Sequence, residues 1–215
     1  MNRFFDFVRQ IYAGKTIGRI LLNWEIVALR EKVRGKVVDL AGGLEASYYR
    51  YLPANISVTR TNYHPGSSID QVIDLNTRLP FEDNSFDTVL FFNAIYILDD
   101  HEATLREIRR ILRPHGTLLL SSPFLYNEMP EPHDYMRFTS EGLSRVLAST
   151  GFVSVSIHRF GERITAAANL LHPLFYFNTV RFVVYSIALF LDRVIPRSLA
   201  RRYPSPIGYV CVARP

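Results

Sequence analysis

The stretch Val37-Val38-Asp39-Leu40-Ala41-Gly42-Gly43 decides the fold expected for this 215-residue chain. Two β-branched residues run directly into a carboxylate, and two glycines follow closely. A buried parallel strand has this composition, and the glycines let the backbone turn sharply and approach a ligand. Ligands of open α/β sheets bind outside the carboxyl ends of the strands. Asp39 and the glycines are therefore predicted to lie at a binding edge.

Outward from this stretch, segments typical of strands alternate with segments typical of helices. Further strands are predicted over residues 56–61, 69–73, 86–92, 117–121, 152–158 and 207–213. Helices are predicted over residues 3–12, 16–33, 44–51, 99–112 and 139–151. This alternation is typical of an α/β fold with a doubly wound, mostly parallel sheet.

The length of the chain suits one domain with an elaboration. Its predicted parts are an N-terminal helical cap (1–34), a core (35–160), an apolar helical insertion (161–205) and the last strand of the core (206–215). Cys211 is the single cysteine, which excludes a disulfide framework, and no secretory signal is visible. These features predict a cytoplasmic location.

The net charge of +5 is divided unevenly along the chain. Residues 1–36 carry eight Lys and Arg against three Asp and Glu, and residues 161–205 carry six against two. Residues 37–160 carry ten against fifteen, and Arg214 adds the last positive charge. Basic flanks suit nucleic acid or an anionic membrane surface, but no zinc-ligand spacing, RNA-binding signature or Arg/Lys-dense helix supports nucleic acid. Scattered, solvated charges are the alternative.

Two further runs, read in order with residues 36–43, carry a specific resemblance. Residues 74–87 include Leu-Pro-Phe-Glu-Asp-Asn-Ser-Phe-Asp, and residues 109–116 read Arg-Arg-Ile-Leu-Arg-Pro-His-Gly. In order and spacing the three runs resemble class I S-adenosylmethionine-dependent methyltransferases, and most closely the small-molecule methyltransferase domain of type 11. The resemblance covers residues 34–160 and the last strand. It implies a seven-stranded, Rossmann-like sheet whose last strand is antiparallel to its neighbours.

The resemblance also implies S-adenosyl-L-methionine as the cofactor. It places eight residues at the cofactor: Asp39, Ala41, Gly42, Gly43, Asn62, Asp74, Leu75 and Asn93. The two glycines would present bare backbone to the methionine portion. Asn62 stands where the family has an acid that holds the ribose hydroxyls. Asp74 would accept a hydrogen bond from the adenine amino group with Leu75 along the ring, and Asn93 would border the sulfonium.

The first motif departs from the family pattern Gly-x-Gly-x-Gly. Its three glycine places read Ala41, Gly43 and Glu45. Ala41 is tolerable in an ordinary backbone conformation, whereas Glu45 would be unfavourable beside the cofactor carboxylate unless it points away. Taken singly, Asp39 is better explained as a turn cap and Asp74 as a solvated loop acid, and only the ordered series of residues favours a cofactor site. No Gly-x-Gly-x-x-Gly follows the first strand, so a dinucleotide-binding site is not indicated.

Candidates for the chemistry lie in the loop that follows the fifth predicted strand. Methyl transfer mainly requires alignment of the acceptor and exclusion of water, with a base where the acceptor loses a proton. Related methyltransferases often carry a His-x-Tyr-x-Arg-Phe-Thr run, which here supplies His133, Tyr135 and Arg137. His133 would act as a base or orient the substrate, Tyr135 would stack on it or hydrogen-bond to it, and Arg137 would hold an anionic group. Alternatively, Arg137 pairs with a loop acid.

The insertion is predicted to contain one long helix that begins near Pro173 and ends at Val194. Its apolar face would carry Tyr176, Val180, Val183, Val184, Ile187, Phe190 and Leu191. Its other face would carry Asn178, Arg181, Tyr185, Ser186 and Asp192. A single membrane crossing would separate two strands of one sheet. The remaining alternatives are packing on its own domain, a lid, a homodimer contact and a helix in the membrane interface. Among the functional alternatives we expect peripheral membrane attachment or self-association.

Together these features predict an S-adenosylmethionine-dependent methyltransferase that acts on a small or lipid-linked acceptor and not on nucleic acid. The alternative is a non-catalytic protein that keeps the methyltransferase fold as a binding or scaffold module, possible because of Ala41, Glu45 and Asn62.

Overall fold

The structure is a computed structural model that describes residues 2–43, 46–130 and 132–215. Within these residues the helices are α1 (Arg3–Tyr12), α2 (Ile17–Leu29), α3 (His101–Ile111), α4 (Ser140–Ser149), α5 (Arg163–Leu170), α6 (Asn178–Val194) and α7 (Arg197–Arg202). The strands are β1 (Lys36–Asp39), β2 (Ser57–Asn62), β3 (Gln71–Val72), β4 (Phe86–Phe92), β5 (Leu112–Pro123), β6 (Ser154–Phe160) and β7 (Gly208–Arg214).

The strands form a seven-stranded sheet in the order β3-β2-β1-β4-β5-β7-β6. β1 is parallel to β2 and β4, whereas β7 is antiparallel to both β5 and β6. The predicted doubly wound sheet with an antiparallel last strand is confirmed. Because β1, β2 and β4 are parallel, their carboxyl ends meet at one edge, where Asp39, Asn62 and Asn93 come together.

Helices cover both faces of the sheet, as the apolar character of β1 and β4 requires. Under α3 and α4 lies one core, which includes Val89, Phe91, Leu105, Ile108, Ile111, Leu143 and Leu147. Under α1, α2, α5 and α6 lies another, which includes Val37, Leu90, Phe7, Ile11, Ile20, Ile26 and Tyr185. Successive side chains along each central strand therefore point alternately into the two cores.

Helix starts follow the capping residues of the sequence. The side chains of Asn2, Thr16, Asp100 and Thr139 each accept a backbone hydrogen bond from the first turn of α1, α2, α3 and α4. Each such cap satisfies an amide that has no partner within its helix and contributes about 1 kcal/mol. The helix ends and β4 agree with the predicted ranges to within a few residues.

Three predicted elements differ in the structure. The helix expected over 44–51 is reduced to a 3₁₀ turn at Tyr49–Tyr51, and Leu44 and Glu45 lie outside the described residues. The third strand is only two residues long. The strand predicted over 117–121 begins earlier, at Leu112, because Leu112 already pairs with Phe86 and the register shifts before Thr88.

The insertion does not form one helix that begins at Pro173. The chain forms α5, a 3₁₀ turn at His172–Leu174, and then α6, which begins at Asn178. The structure exposes most of the predicted apolar face and turns the other predicted face inward. Tyr185 is 0% exposed, whereas Ile187 is 52% and Phe190 63% exposed.

Polar contacts explain why α6 turns this face inward. The Asp192 carboxylate accepts hydrogen bonds from the backbone amides of Ile164 and Thr165 (both 2.9 Å) at the start of α5. The Tyr185 hydroxyl lies 2.5 Å from Nδ1 of His172. Because unpaired amides are costly to bury, the side of α6 that can satisfy them faces the domain. Within the described residues, no helix has the length and hydropathy needed to cross a bilayer.

Candidate active site

Two cavities open at the carboxyl edge of the sheet and share two lining residues, Ala41 and Asn93. The first, here the Asp74 cavity, has a volume of about 340 Å³. Six predicted site residues line it: Ala41, Asn62, Asp74, Leu75, Asn93 and His133. The sheet therefore gathers residues that are up to 92 positions apart in the chain around one cavity, from Ala41 to His133.

Asp74 presents a carboxylate to this cavity beside an apolar wall. One of its oxygens accepts a hydrogen bond from the amide of Asn76 (2.9 Å). The neighbouring Leu75 is held in place because its carbonyl accepts from the Thr104 hydroxyl (2.8 Å). Ile97 and Leu98 extend the apolar wall. A carboxylate oxygen next to a flat apolar surface suits a heterocycle that carries an amino group.

Asn62 ends β2 and connects it to the loop after β1. Its Nδ2 donates to the carbonyl of Gly42 (3.2 Å), and its Oδ1 accepts from the amide of His64 (3.1 Å). The amide side chain therefore makes two backbone contacts of its own while it lines the Asp74 cavity. A carboxylate could not donate a hydrogen bond to the Gly42 carbonyl, and this explains why an asparagine suits this position.

Asp39 does not line either cavity, in contrast to the direct cofactor contact implied by the resemblance. It is fully buried and accepts hydrogen bonds from the hydroxyls of Tyr48 (2.6 Å) and Tyr49 (2.7 Å). Burial raises the pKa of its carboxyl to about 6, although the two tyrosine hydrogen bonds act against this rise. Asp39 is a brace for the loop that forms the floor of the site.

The two glycines after β1 differ in the free space beside their backbone. A Cβ on Gly42 would lie 2.1 Å from the Tyr49 hydroxyl, so this glycine makes room for the tyrosine and not for a ligand. A Cβ on Gly43 would meet nothing within 4 Å. Of the two predicted glycine contacts, the structure therefore leaves open backbone only at Gly43. Tyr49 is held further by the Arg60 guanidinium, which lies 4.7 Å from its ring centroid.

Asn93 separates the two cavities and has a backbone φ of 51°. Few residues other than glycine adopt this conformation, although asparagine is among them. Its Oδ1 accepts from the Ser121 hydroxyl (2.9 Å), and its amide donates to the Ser121 carbonyl (3.0 Å). These contacts from β5 hold the residue in place at the junction.

The second cavity, here the Arg19 cavity, has a volume of about 410 Å³. Its aromatic lining consists of Tyr48, Phe92, Tyr96 and Tyr126, and its cations are Lys15 and Arg19. None of these six residues was predicted from the sequence. These residues line the cavity because of the way α2 and the loop after β5 pack over the sheet. No local sequence pattern predicts that packing.

His133 and Tyr135 lie together in the loop after β5. Their rings stack with centroids 5.1 Å apart and planes at 13°. His133 lines the Asp74 cavity, whereas Tyr135 does not and is half exposed. A hydrogen bond with Asp99 raises the pKa of the Tyr135 hydroxyl. His133 is thus placed at the predicted site, and Tyr135 supports its ring.

Arg137 is engaged within the same loop and does not reach a cavity. Its guanidinium pairs with both carboxylate oxygens of Asp134, with one N–O distance of 2.6 Å, and lies 5.3 Å from the ring centroid of Tyr96. Arg137 holds the pKa of Asp134 below its usual value. Arg137 therefore forms the pair with a loop acid that was the alternative to an anion-holding role, and that role stays a prediction.

A third cavity, of about 470 Å³, lies away from the sheet edge between α1, α2 and the turn at Tyr49–Tyr51. Its carboxylate, Asp6, is occupied by hydrogen bonds from Gln10, Trp24 and Tyr51. This network ties the two N-terminal helices to the core. Although the cavity is larger than the other two, its polar groups are engaged structurally.

Comparison with known proteins assigns the fold. Residues 42–120 match the family model described as methyltransferase domain. The matched residues are therefore a methyltransferase domain, and the resemblance to class I S-adenosylmethionine-dependent methyltransferases is supported over this part of the chain. The prediction from the sequence motifs is confirmed, and S-adenosylmethionine, the cofactor of such domains, is confirmed with it.

Curated relatives of this methyltransferase domain match part of their length. A demethylmenaquinone methyltransferase of Mycolicibacterium vanbaalenii is 33% identical over 100 residues, which are 43% of this chain and 44% of the relative. A ubiquinone/menaquinone biosynthesis C-methyltransferase of Desulfotalea psychrophila is 32% identical over 132 residues, or 54% of this chain and 53% of the relative. The matched region thus spans about half the length of these relatives.

Solved structures share the methyltransferase fold over nearly the whole chain. A 1,6-didemethyltoxoflavin N1-methyltransferase of Burkholderia thailandensis has a TM-score of 0.59 at 16% identity, covering 97% of this chain and 85% of its own. A methyltransferase of Archaeoglobus fulgidus has the same TM-score and identity, covering 92% and 94%. At such identity these structures support the fold alone.

Proposed function

We propose that this chain transfers a methyl group from S-adenosylmethionine, bound in the Asp74 cavity, to a small or lipid-linked acceptor in the Arg19 cavity. The observation that carries this proposal is that the two cavities meet at Ala41 and Asn93. A donor and an acceptor can thus be held on opposite sides of one junction. Alignment of this kind is the main requirement of a methyl displacement.

The residues of the Asp74 cavity fit the cofactor. Asp74 and Leu75 would hold the adenine. Gly43 lines the Arg19 cavity, so its open backbone would meet the methionine portion where the cofactor reaches past Ala41 and Asn93. Tyr49 narrows the neighbouring space above Gly42. When bound, the cofactor supplies a methyl group on a positively charged sulfur. The chain's own contribution is to orient both reactants at Asn93 and to exclude water.

His133 is our candidate for a proton acceptor where the acceptor atom loses a proton. It lines the Asp74 cavity and not the Arg19 cavity, so it would serve an acceptor that extends past Asn93 toward it. Its ring is exposed and stacks on that of Tyr135. Its His133→Ala variant should keep cofactor binding but lose turnover. Unchanged turnover would remove the role.

Thermal stabilisation by S-adenosylmethionine tests the binding site. A ligand at about 100 times its Kd stabilises the native state by about 2.7 kcal/mol. We expect the native chain to show a raised Tm and the Asp74→Ala variant to lose most of the shift. Glu82→Ala removes an exposed acid outside both cavities and should leave the shift unchanged.

A non-catalytic, methyltransferase-fold scaffold remains the second candidate, and one observation favours it. Tyr49 occupies the space above Gly42, and Asp39 is already bonded to two tyrosines. If saturating cofactor gives no thermal shift in the native chain, the scaffold function replaces the enzymatic one.

The outward face of the insertion supports a lipid-linked acceptor and a peripheral membrane location. We call this surface the insertion face; its residues, all exposed, are Tyr176, Val180, Val183, Ile187, Phe190, Leu191 and Val194. Both acids of the insertion have internal contacts, since Asp192 caps α5 and Glu162 pairs with Arg159. The exposed charges beside the face are Arg193, Arg197, Arg201 and Arg202. An apolar face with a cationic border complements an anionic bilayer surface. The quinone-biosynthesis names of two relatives agree with a lipid-linked acceptor.

Co-sedimentation tests this location with phosphatidylcholine vesicles that contain or lack phosphatidylserine. We expect binding to the anionic vesicles and a large loss in the double variant Ile187→Ser, Phe190→Ser. Val153→Ser changes an 83%-exposed valine elsewhere and is the matched control. The contrary outcome has two parts: the native chain binds neither kind of vesicle, and light scattering shows a dimer that the double variant does not form. In that case the face is a homodimer contact and the membrane proposal is wrong.

A further inference from the structure

We infer that the Arg19 cavity selects acceptors that carry an anionic group on a planar ring, and that Lys15 and Arg19 bind the anion. The inference rests on the proposed function, because it names the class of acceptor for the same reaction. It assigns a binding role to two residues outside every sequence motif discussed above.

The two cavities differ in charge, and this difference is the first support. Among the described residues that line the Asp74 cavity, Asp74 is the only acid and no lysine or arginine is present. Among those that line the Arg19 cavity, Lys15 and Arg19 are cationic and no acid is present. The acid of the first cavity is assigned to the adenine in the proposed function. The basic cavity suits a partner of opposite charge.

The second support is that both cations lack a carboxylate partner within the described part of the chain. Lys15 and Arg19 are partly buried, yet neither makes an ion pair there. The partly buried guanidinium of Arg137, by contrast, is neutralised by Asp134. A positive charge that is partly removed from water and unpaired is stabilised by an anionic ligand.

The fixed positions of the two cations form the third support. Thr16 caps α2, and its side chain accepts the amide of Arg19 (3.1 Å). Lys15 precedes this cap, and Arg19 belongs to the first turn of the helix. The two side chains therefore start from a short, ordered piece of backbone next to the cavity. A pair of cations with defined origins can hold one carboxylate or phosphate jointly.

The walls of the cavity explain the preference for a ring. Tyr48 and Phe92 lie edge to face with ring centroids 5.0 Å apart, and Tyr96 and Tyr126 complete the aromatic lining. The Tyr48 hydroxyl is bonded to Asp39, so it is not available to a ligand as a donor. Aromatic faces and edges with few free polar atoms favour a flat, apolar body. The anion is then the group that fixes orientation.

Paired probes that differ only in charge test the inference. The probes are 3,4-dihydroxybenzoate and 3,4-dihydroxybenzamide, with catechol phosphate as a second anion. Binding is measured by saturation-transfer NMR on the full chain in the presence of S-adenosylhomocysteine. We expect each anion to bind about tenfold more tightly than the amide, as charge-assisted hydrogen bonds imply. The preference should shrink as salt is raised.

Two pairs of variants assign the preference to the cations. The double variant Lys15→Gln, Arg19→Gln should lose the tenfold preference and keep its affinity for the amide. The double variant Arg30→Gln, Lys32→Gln removes the same charges from the other end of α2, where both residues are exposed, and should keep the preference. The exchange Lys15→Arg, Arg19→Lys conserves charge and should keep most of it, which excludes a folding defect.

The outcomes separate this inference from the proposed function. Equal binding of acid and amide to the native chain overturns the inference, whether both bind or neither does. Loss of the preference in the Arg30 and Lys32 control also overturns it, since the effect would then be one of net charge. Cofactor-induced stabilisation is measured on the same samples. If that shift is present without an acid preference, only the inference fails; if the preference is present without the shift, only the proposed function fails.

Discussion

The sheet edge and the insertion both turn a carboxylate inward, but they treat apolar side chains in opposite ways. At the sheet edge, Asp39 accepts two tyrosine hydroxyls, and the strand residues around it are buried. In the insertion, Asp192 accepts two backbone amides, and much of the apolar surface of α6 stays exposed. The difference teaches that polar contacts can decide which face of a helix is buried where the sheet does not already decide it.

The largest expected effect tests the brace at the sheet edge. Gly42→Ala would place a Cβ 2.1 Å from the Tyr49 hydroxyl, so Tyr49 must move and Asp39 loses a partner. We expect the free energy of unfolding to fall by about 3 kcal/mol, the scale for a buried charged group that loses a hydrogen bond. Urea denaturation measures it. Gly43→Ala is the control and should change stability by less than about 0.5 kcal/mol. Equal losses in both variants would contradict the brace.

The protonation of Asp39 gives the next effect, of about 2 kcal/mol. Its pKa is raised to about 6 in the folded chain from an ordinary value of 3.8. The folded state therefore favours the protonated carboxyl, and this stabilisation is present in full below the ordinary pKa. It is lost as pH rises through the raised pKa. The difference in stability between the native chain and the Asp39→Asn variant should fall from pH 4 to 7 and then level off. A flat difference would contradict the raised pKa.

Removal of the Asp192 carboxylate should cost less, because Asp192 is only partly buried, whereas Asp39 is 0% exposed. Asp192→Ala leaves the amides of Ile164 and Thr165 without their acceptor at the start of α5. We expect a loss of about 1–2 kcal/mol, as for other helix caps. Chemical denaturation measures the loss, and Ser186→Ala, on the same helix, is the control. An unchanged midpoint would mean that another interaction sets the orientation of α6.

The smallest effect is expected on the outward face of α6. The double variant Ile187→Ser, Phe190→Ser changes side chains that are 52% and 63% exposed. Surface substitutions rarely change stability by more than about 0.5 kcal/mol, so the unfolding curve should nearly coincide with that of the native chain. A loss above 2 kcal/mol would show that this face is buried in solution.

Much of the fold follows from patterns within single segments. The range 86–92 predicted as a strand is found unchanged in β4, since a continuous apolar run bounded by turn residues leaves few alternatives. The helices predicted over 99–112 and 139–151 begin close to their predicted starts, because Asp100 and Thr139 cap them through residues only three positions away. The third strand was predicted too long, because its pairing depends on only two residues of β2.

The candidate site was readable where it depends on strand ends. Asp74, Asn93 and His133 reach one cavity because parallel strands present their carboxyl ends and the loops after them to the same edge. Tyr49 was not recognised, since its contact with Asp39 depends on an irregular loop. For Arg137 the sequence left two alternatives open, and the structure shows the pair with Asp134, three residues earlier, which competes with any ligand.

By itself, the sequence determined the alternation of strands and helices, the edge at which ligands bind and the family of the domain. These properties depend on hydrophobic periodicity, caps and motif spacing, which act over a few residues. Only the tertiary structure decided which face of α6 is buried, which glycine stays open and where Lys15 and Arg19 lie. Those outcomes depend on polar groups that are distant in sequence and must find partners once they are packed together.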